Sequence, residues 1–174
     1  MNPAPGAYAR QEDTAETMNI TELISPQRVV ARLGTTSKKR ALEQLAELLA
    51  GHAPSLTPEE IFDSLIGRER LGSTGLGQGV ALPHGRLAGL SEPVGAFASL
   101  DPAIDFDAID HQPVDLMFAL LVPAESTDEH LQILADLARR FSDKGFTDDL
   151  RRAATGEELY QRFLTQDARQ RESA

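Results

Sequence analysis

The stretch Val114–Val122, which reads VDLMFALLV, decides the fold class of this 174-residue chain. It is apolar at every position except Asp115, so both side-chain directions of a strand would be apolar. Such a run is typical of a central strand covered on both faces, although periodicity alone does not exclude a short helix. Pro123 ends the run. We therefore expect a buried central strand here.

Outward from this run, strands and helices alternate along the chain. Val29–Leu33 is predicted to be a short edge strand, where the nearby Pro26 is tolerated, and Val94–Leu100 is predicted to be another strand. Asp101–Asp110 is expected to be an acidic turn region that contains Pro102, with a hairpin around Ile104 and Phe106. Helical spacing predicts helices near residues 37–51, 57–69, 126–141, 146–154 and 156–164. Interleaved strands and helices indicate a single layered α/β domain.

Two helix starts carry explicit capping signals. Thr57-Pro58-Glu59-Glu60 combines an N-cap, a proline at the first helical position and a capping box. Ser126 and Glu129 form a second capping box. The apolar stripe expected after it consists of Leu131, Leu134, Leu137, Ala138 and Phe141.

The first turn of the 37–51 helix is basic. Ser37 is its predicted N-cap, and Lys38-Lys39-Arg40 follow, where positive charge is unfavourable for the helix dipole. Two interpretations stay open for these side chains: they serve a partner, or they form a solvated face.

The chain ends are polar. Residues 1–17 have no hydrophobic period and are predicted to be a disordered extension or a start assigned too early. Residues 18–166 form the predicted domain, and residues 167–174 are predicted to fray.

Composition excludes several classes of function. The formal net charge of −10 and the pI near 4.8 argue against nucleic acid as a partner. The sequence has no apolar run of membrane-spanning length and no secretory signal pattern. It has no cysteine, which removes disulfides, thiolate chemistry and cysteine zinc sites. We expect an acidic, soluble, cytoplasmic protein.

The stretch Arg68–Arg86, RERLGSTGLGQGVALPHGR, carries the candidate chemistry. We predict a helix end, a glycine-rich loop, a short strand at Val80–Leu82 and a turn that presents His84. Pro83 restricts the backbone before the histidine, and Gly85 would let a ligand or partner approach. A neutral imidazole is available at pH 7, and it acts as a nucleophile when one ring nitrogen is oriented by a backbone acceptor. We interpret His84 as a phosphoryl acceptor, against the alternative of a histidine in a surface turn.

Other residues offer an anion-binding environment. Gly72-Ser73-Thr74-Gly75 can form a concavity of backbone N–H and hydroxyl donors for phosphate, although such strings are usually turns. Arg68 can hold phosphoryl oxygens or complement the C-terminus of its helix. His130, in the first turn of the helix after the central strand, can donate to a phosphoryl group or be a partly buried helix residue. No close pair of histidines has metal-ligand spacing, so no metal site is expected. The glycine-rich loop matches neither the P-loop nor the dinucleotide fingerprint, and no cofactor is predicted.

At GSTGLGQGVALPHGR the sequence resembles the mannitol/fructose-type enzyme IIA family of the bacterial phosphotransferase system, nearest to its nitrogen-regulatory branch. The resemblance covers roughly Met18 to Gln166, including the MNITELISP opening and the HLQILADLARRF helix. It implies a mixed, roughly five-stranded sheet flanked by helices on both faces.

The resemblance also implies roles for three residues. His84 matches the phosphorylated histidine of the family, as a tele-phosphohistidine, while Arg68 and His130 match the residues that stabilise the phosphoryl charge. An HPr-like phosphocarrier would be the donor. The protein would act as a phosphocarrier and regulator rather than as a turnover enzyme. Its targets would be potassium transporters, sensor kinases or nitrogen metabolism.

Two alternatives stay open. A fructose- or mannitol-specific IIA would pass its phosphate to a IIB domain of a sugar permease. A binding module would use the same fold without phosphorylation. The sequence identifies neither the regulated target nor the oligomeric state.

Overall fold

The computed structural model describes residues 18–52, 54–126 and 128–173. The first elements of the described part are two 3-10 turns, Ile20–Glu22 and Pro26–Arg28. The strands are β1 Val29–Leu33, β2 Gly75–Gly77, β3 Val80–Ala81, β4 His84–Leu87, β5 Val94–Ile104 and β6 Val114–Pro123. The helices are α1 Lys38–Ala50, α2 Pro58–Glu69, α3 Asp128–Phe141, α4 Lys144–Arg152 and α5 Gly156–Ser173. The extension predicted at residues 1–17 lies outside the described residues.

The strands form one mixed sheet in the order β1-β5-β6-β3-β2, with β4 also paired to β6. β5 and β6 are antiparallel, whereas β3 and β4 both run parallel to β6. Val80 lies opposite Leu116 and His84 opposite Leu120, so β3 and β4 keep the same register along β6. They form a single strand path interrupted at Leu82 and Pro83. The prediction of a mixed, roughly five-stranded sheet is confirmed.

The apolar run forms the central strand β6, as predicted. Its side chains alternate between two hydrophobic clusters, one on each face of the sheet. Leu116, Phe118, Leu120 and Val122 pack with α3, α4 and α5, whereas Met117, Ala119 and Leu121 pack with α1 and α2. Helices therefore cover both faces, which confirms the layered arrangement.

Local capping chemistry sets the starts of α1 and α2. The Ser37 side chain accepts from the Arg40 N–H, and the Thr57 side chain accepts from the Glu60 N–H, as predicted. α3 is described from Asp128, and the capping box predicted at Ser126 and Glu129 spans residue 127, which lies outside the described residues.

The stripe predicted on α3 is partly wrong. Leu131 is 63% exposed. The buried positions are His130, Ile133, Leu137, Arg140 and Phe141. They keep helical spacing, but two of them are polar, and a hydrophobic pattern therefore misses the true phase of the buried face.

The fraying predicted for residues 167–174 is wrong as far as residue 173, because α5 continues to Ser173. Asp167 is buried and accepts hydrogen bonds from the backbone N–H groups of Ile20 and Thr21 at 2.9 and 3.0 Å. Its carboxylate also lies 2.6 Å from the Arg140 guanidinium. A specific ion pair holds this polar segment, which a hydrophobic pattern does not reveal.

Two loop predictions also change. His84 does not lie in a turn, because it is the first residue of β4. β5 runs beyond Leu100 to Ile104, which pairs with Val114, so the acidic segment closes a hairpin between β5 and β6. Within the described ranges, no helix combines the length and apolarity needed to cross a bilayer.

Candidate functional site

His84 lies at the interruption between β3 and β4. Pro83 has no N–H, and the regular strand stops there. The Leu82 carbonyl is 2.9 Å from Nδ1 of the His84 ring. Because a carbonyl only accepts, Nδ1 carries the proton and Nε2 carries the free electron pair. This is the orientation that the sequence analysis required of a nucleophilic histidine.

His130 lies beside it. It is buried in the first turn of α3, and the centroids of the two imidazole rings are 5.4 Å apart. Its Nδ1 is buried and has no hydrogen-bond partner among the residues that the structure covers. An unpaired buried polar atom is uncommon and is a feature of sites that handle polar ligands. The structure thus brings together the two histidines singled out from the sequence.

Two arginines place positive charge at this pair of rings. Arg68 lies in the last turn of α2 and donates from Nη1 to the Gly72 carbonyl at 3.0 Å. Arg86 is exposed on β4. The positive charges of both act on His84 and His130. Sequence reasoning missed Arg86, although residues two apart in a strand share a face, and this spacing from His84 was the available signal.

Both rings favour the neutral form. Burial is the largest cause that lowers the pKa of His84 below 6.5, followed by the opposing effect of the hydrogen bond that the ring donates to the Leu82 carbonyl, and then by the positive charge of Arg68. Burial also lowers the pKa of His130 most, ahead of the charges of His84, Arg86 and Arg68. At pH 7 the site therefore combines a neutral nucleophilic ring with nearby fixed cations.

The loop Gly72–Gly75 uses its hydroxyls internally. The Ser73 hydroxyl donates to the Phe106 carbonyl at 2.8 Å. The Thr74 hydroxyl and N–H donate to the Glu69 carboxylate at 2.5 and 3.0 Å. A hydroxyl has one proton to donate, so the prediction that these two hydroxyls supply donors to an anion is wrong in this conformation. They hold the loop to its scaffold instead.

Gly85 serves helix packing rather than ligand access. A Cβ atom there would lie 2.2 Å from Ser64 Oγ and 3.1 Å from Ser64 Cβ, in α2. The Ser64 hydroxyl also donates to the Arg86 carbonyl at 2.9 Å. The interpretation of Gly85 as an opening for a partner is therefore wrong. Its missing side chain lets α2, which carries Arg68, pack directly on β4, which carries His84.

Comparison with known proteins supplies the family. The family described as "Phosphoenolpyruvate-dependent sugar phosphotransferase system, EIIA 2" matches residues 22–166. A nitrogen regulatory protein of Pseudomonas aeruginosa is 44% identical over 144 residues, covering 83% of this chain and 94% of that protein. A nitrogen regulatory protein of Escherichia coli K12 is 46% identical over 146 residues, covering 83% and 89%.

A solved structure agrees. The crystal structure of nitrogen regulatory protein IIA-Ntr from Neisseria meningitidis superposes with a TM-score of 0.78 at 42% identity, covering 83% of this chain and 98% of that one. The resemblance read from the sequence is confirmed: this chain belongs to the EIIA 2 family of the phosphotransferase system, alongside the nitrogen regulatory proteins.

Proposed function

We propose that this chain is a nitrogen regulatory IIA protein, which accepts a phosphoryl group on Nε2 of His84 and acts through its phosphorylation state. The observation that carries the proposal is the hydrogen bond from Nδ1 of His84 to the Leu82 carbonyl, which leaves Nε2 unprotonated. The same ring lies beside His130 and within the influence of Arg68 and Arg86.

Phosphoryl transfer to His84 needs only the His84 ring and a donor phosphohistidine. The electron pair of His84 Nε2 forms a bond to the phosphorus of a donor phosphohistidine. The P–N bond of the donor breaks, and its electron pair stays on the donor imidazole. The Nδ1 proton stays in place, and its bond to the Leu82 carbonyl strengthens as the phosphorylated ring gains positive charge.

The surrounding charges suit the transferred group. Phosphoryl transfer is catalysed mainly by positioning and by stabilising charge on the phosphoryl oxygens. Arg68 and Arg86 would contribute cationic donors, and His130 a ring donor, at a site within a chain of net charge −10. A cationic site on an otherwise acidic protein favours a phosphorylated partner that docks at the arginines.

The partners follow from the family. An HPr-like phosphocarrier is the proposed donor. Potassium transporters, sensor kinases or components of nitrogen metabolism are the proposed regulated targets, in the cytoplasm. The names of the similar proteins, nitrogen regulatory protein, favour this function over sugar transport.

Phosphorylation of purified protein tests the proposal. Incubation with the general phosphotransferase components and phosphoenolpyruvate should yield one acid-labile, base-stable phosphoryl adduct by intact-mass spectrometry. His84→Ala should abolish the adduct, and His52→Ala, altering a histidine outside the site, should retain it. The proposal fails if the wild-type protein gains no adduct or if His84→Ala labels normally.

Two further measurements on the phosphorylated protein separate the two alternatives. Rapid transfer from the phosphorylated protein to a fructose- or mannitol-type IIB domain would favour the sugar-transport function. Target capture that is indifferent to phosphorylation would favour the binding module.

A further inference from the structure

An ion pair between the half-buried Lys38 and the buried Glu69 joins α1 to the end of α2. Lys38 Nζ lies 2.7 Å from Glu69 Oε1, and the Glu69 side chain is only 2% exposed. Lys38 also donates to the Phe106 carbonyl at 3.2 Å and lies over the Phe106 ring. Neither interpretation left open for Lys38, a docking residue or a solvated one, describes this internal role.

From Glu69 a continuous path of hydrogen bonds leads to the His84 ring. The carboxylate accepts from both the N–H and the hydroxyl of Thr74, which is itself buried, with 6% of its surface exposed. The Thr74 carbonyl accepts from the Leu82 N–H at 3.0 Å. The Leu82 carbonyl accepts from His84 Nδ1 at 2.9 Å. We call this path, Lys38–Glu69–Thr74–Leu82–His84, the positioning chain.

We propose that Glu69 and Thr74 are positioning residues, which set the tautomer and direction of the His84 ring through the Leu82 peptide. The importance of this role for phosphoryl transfer rests on the proposed function of His84. Neither residue would touch the phosphoryl group, because the Thr74 hydroxyl and N–H both point to the Glu69 carboxylate.

Leu82 makes one contact through each of the two peptide groups that flank its Cα. Its N–H donates to the Thr74 carbonyl and its own carbonyl accepts from the His84 ring, at the point where Pro83 interrupts the regular strand. Thr74 is in turn held by two bonds to a single buried carboxylate, which Lys38 neutralises. If the loop is released, Leu82 loses the bond at its N–H, while the Leu120 N–H still holds the Pro83 carbonyl. The direction of the Leu82 carbonyl is then less restrained, and the bond that retains the ring proton on Nδ1 is weakened. A ring protonated on Nε2 has no electron pair there to attack phosphorus.

Substitution of Thr74 tests the positioning chain. Thr74→Val keeps the shape and removes the hydroxyl, whereas Thr74→Ser retains it. Thr147→Val is the matched control, because Thr147 is 4% exposed and its hydroxyl donates to a carbonyl within its own helix. The tautomer of His84 is read from the ¹⁵N shifts of its ring in the unphosphorylated protein, and the rate of phosphoryl acceptance by rapid quench.

We expect the wild type, Thr74→Ser and Thr147→Val to hold the proton on Nδ1 and to accept phosphate at similar rates. Thr74→Val should show a mixed tautomer and a rate lower on the order of 10- to 100-fold, the range found for residues that orient a metal-binding histidine through its second ring nitrogen. Glu69→Gln, which keeps the shape but removes the charge, should shift the tautomer in the same direction. It provides the test if Thr74→Val does not fold.

The outcomes separate the two proposals. A wild-type tautomer in both Thr74→Val and Glu69→Gln overturns the positioning chain, and so does a slowed rate with an unchanged tautomer. A wild-type protein that accepts no phosphate overturns the proposed function instead, while the tautomer measurement still decides the positioning chain.

Discussion

Replacing Gly85 by alanine should destabilise the protein by pushing α2 away from β4. The new methyl group would lie 2.2 Å from Ser64 Oγ, 3.1 Å from Ser64 Cβ and 3.2 Å from the Ser64 carbonyl carbon. The first contact is with a hydroxyl that can rotate. The other two are with atoms fixed to the helix, so relieving them requires the helix itself to move.

The magnitude follows from these two contributions. Rotation of the Ser64 hydroxyl breaks its 2.9 Å hydrogen bond to the Arg86 carbonyl, at a cost of about 1 kcal/mol. Displacement of the helix is an overpacking cost of about 1–3 kcal/mol. The free energy of unfolding should therefore fall by about 2–4 kcal/mol.

Urea unfolding followed by circular dichroism measures this change as a lower midpoint at constant slope. Gly67→Ala is the matched control, since it lies in the same helix with nothing within 4 Å of the added Cβ. It should stabilise the protein by about 0.5–1 kcal/mol, because alanine is the better helix former. In a Ser64→Ala background, Gly85→Ala should cost about 1 kcal/mol less, since the hydroxyl contact is already gone. A cost below about 0.5 kcal/mol for Gly85→Ala alone would refute the packing argument.

Three further predictions concern charge. Arg68→Ala and Arg86→Ala should each slow phosphoryl acceptance in rapid-quench assays by removing about 1.5–3 kcal/mol of charge-assisted stabilisation. Unchanged rates would remove both from the site. His84 should titrate below pH 6.5 by NMR, because burial lowers its pKa. As pH falls, the His84 ring is therefore protonated in the unfolded protein before it is protonated in the folded protein. The contribution of His84 to the free energy of unfolding should decrease as pH falls through 6.5. A midpoint at or above 6.5 contradicts this. Asp167→Ala removes the nearer of two carboxylates beside the buried Arg140, at 2.6 Å, with Asp136 remaining at 3.2 Å, and it also leaves the Ile20 N–H without its acceptor. The two losses together should cost about 3–5 kcal/mol in urea unfolding. A loss below about 1 kcal/mol would show that this pair does not hold α5.

The parts of the fold that follow from local chemistry were predictable. Val114–Val122 is apolar at every position except Asp115, which favours a strand covered on both faces, and helices do cover both faces of β6. The caps at Ser37 and Thr57 depend on residues within one turn. Such features need no knowledge of distant parts of the chain.

The features that were missed depend on distant partners. The polar end of α5 is ordered because Asp167 meets Arg140 and the backbone at Ile20. Gly85 is required by the close approach of Ser64, which belongs to α2 and is distant from Gly85 in the sequence. No periodicity in the sequence encodes these contacts.

The candidate site also contains residues that the sequence indicates and a residue that it does not. His84, Arg68 and His130 stand out through a motif that resembles a known family. Glu69 gave no such signal, because an acid at a helix end is ordinarily solvated. It becomes a buried residue only when Lys38 and Thr74 converge on it.

The position of phosphorus on the His84 ring tests the central claim most directly. Combined ³¹P and ¹⁵N NMR of the phosphorylated protein should place the phosphorus on Nε2 and the proton on Nδ1, still bonded to the Leu82 carbonyl. Phosphorus on Nδ1, on another residue, or absent altogether would contradict the account.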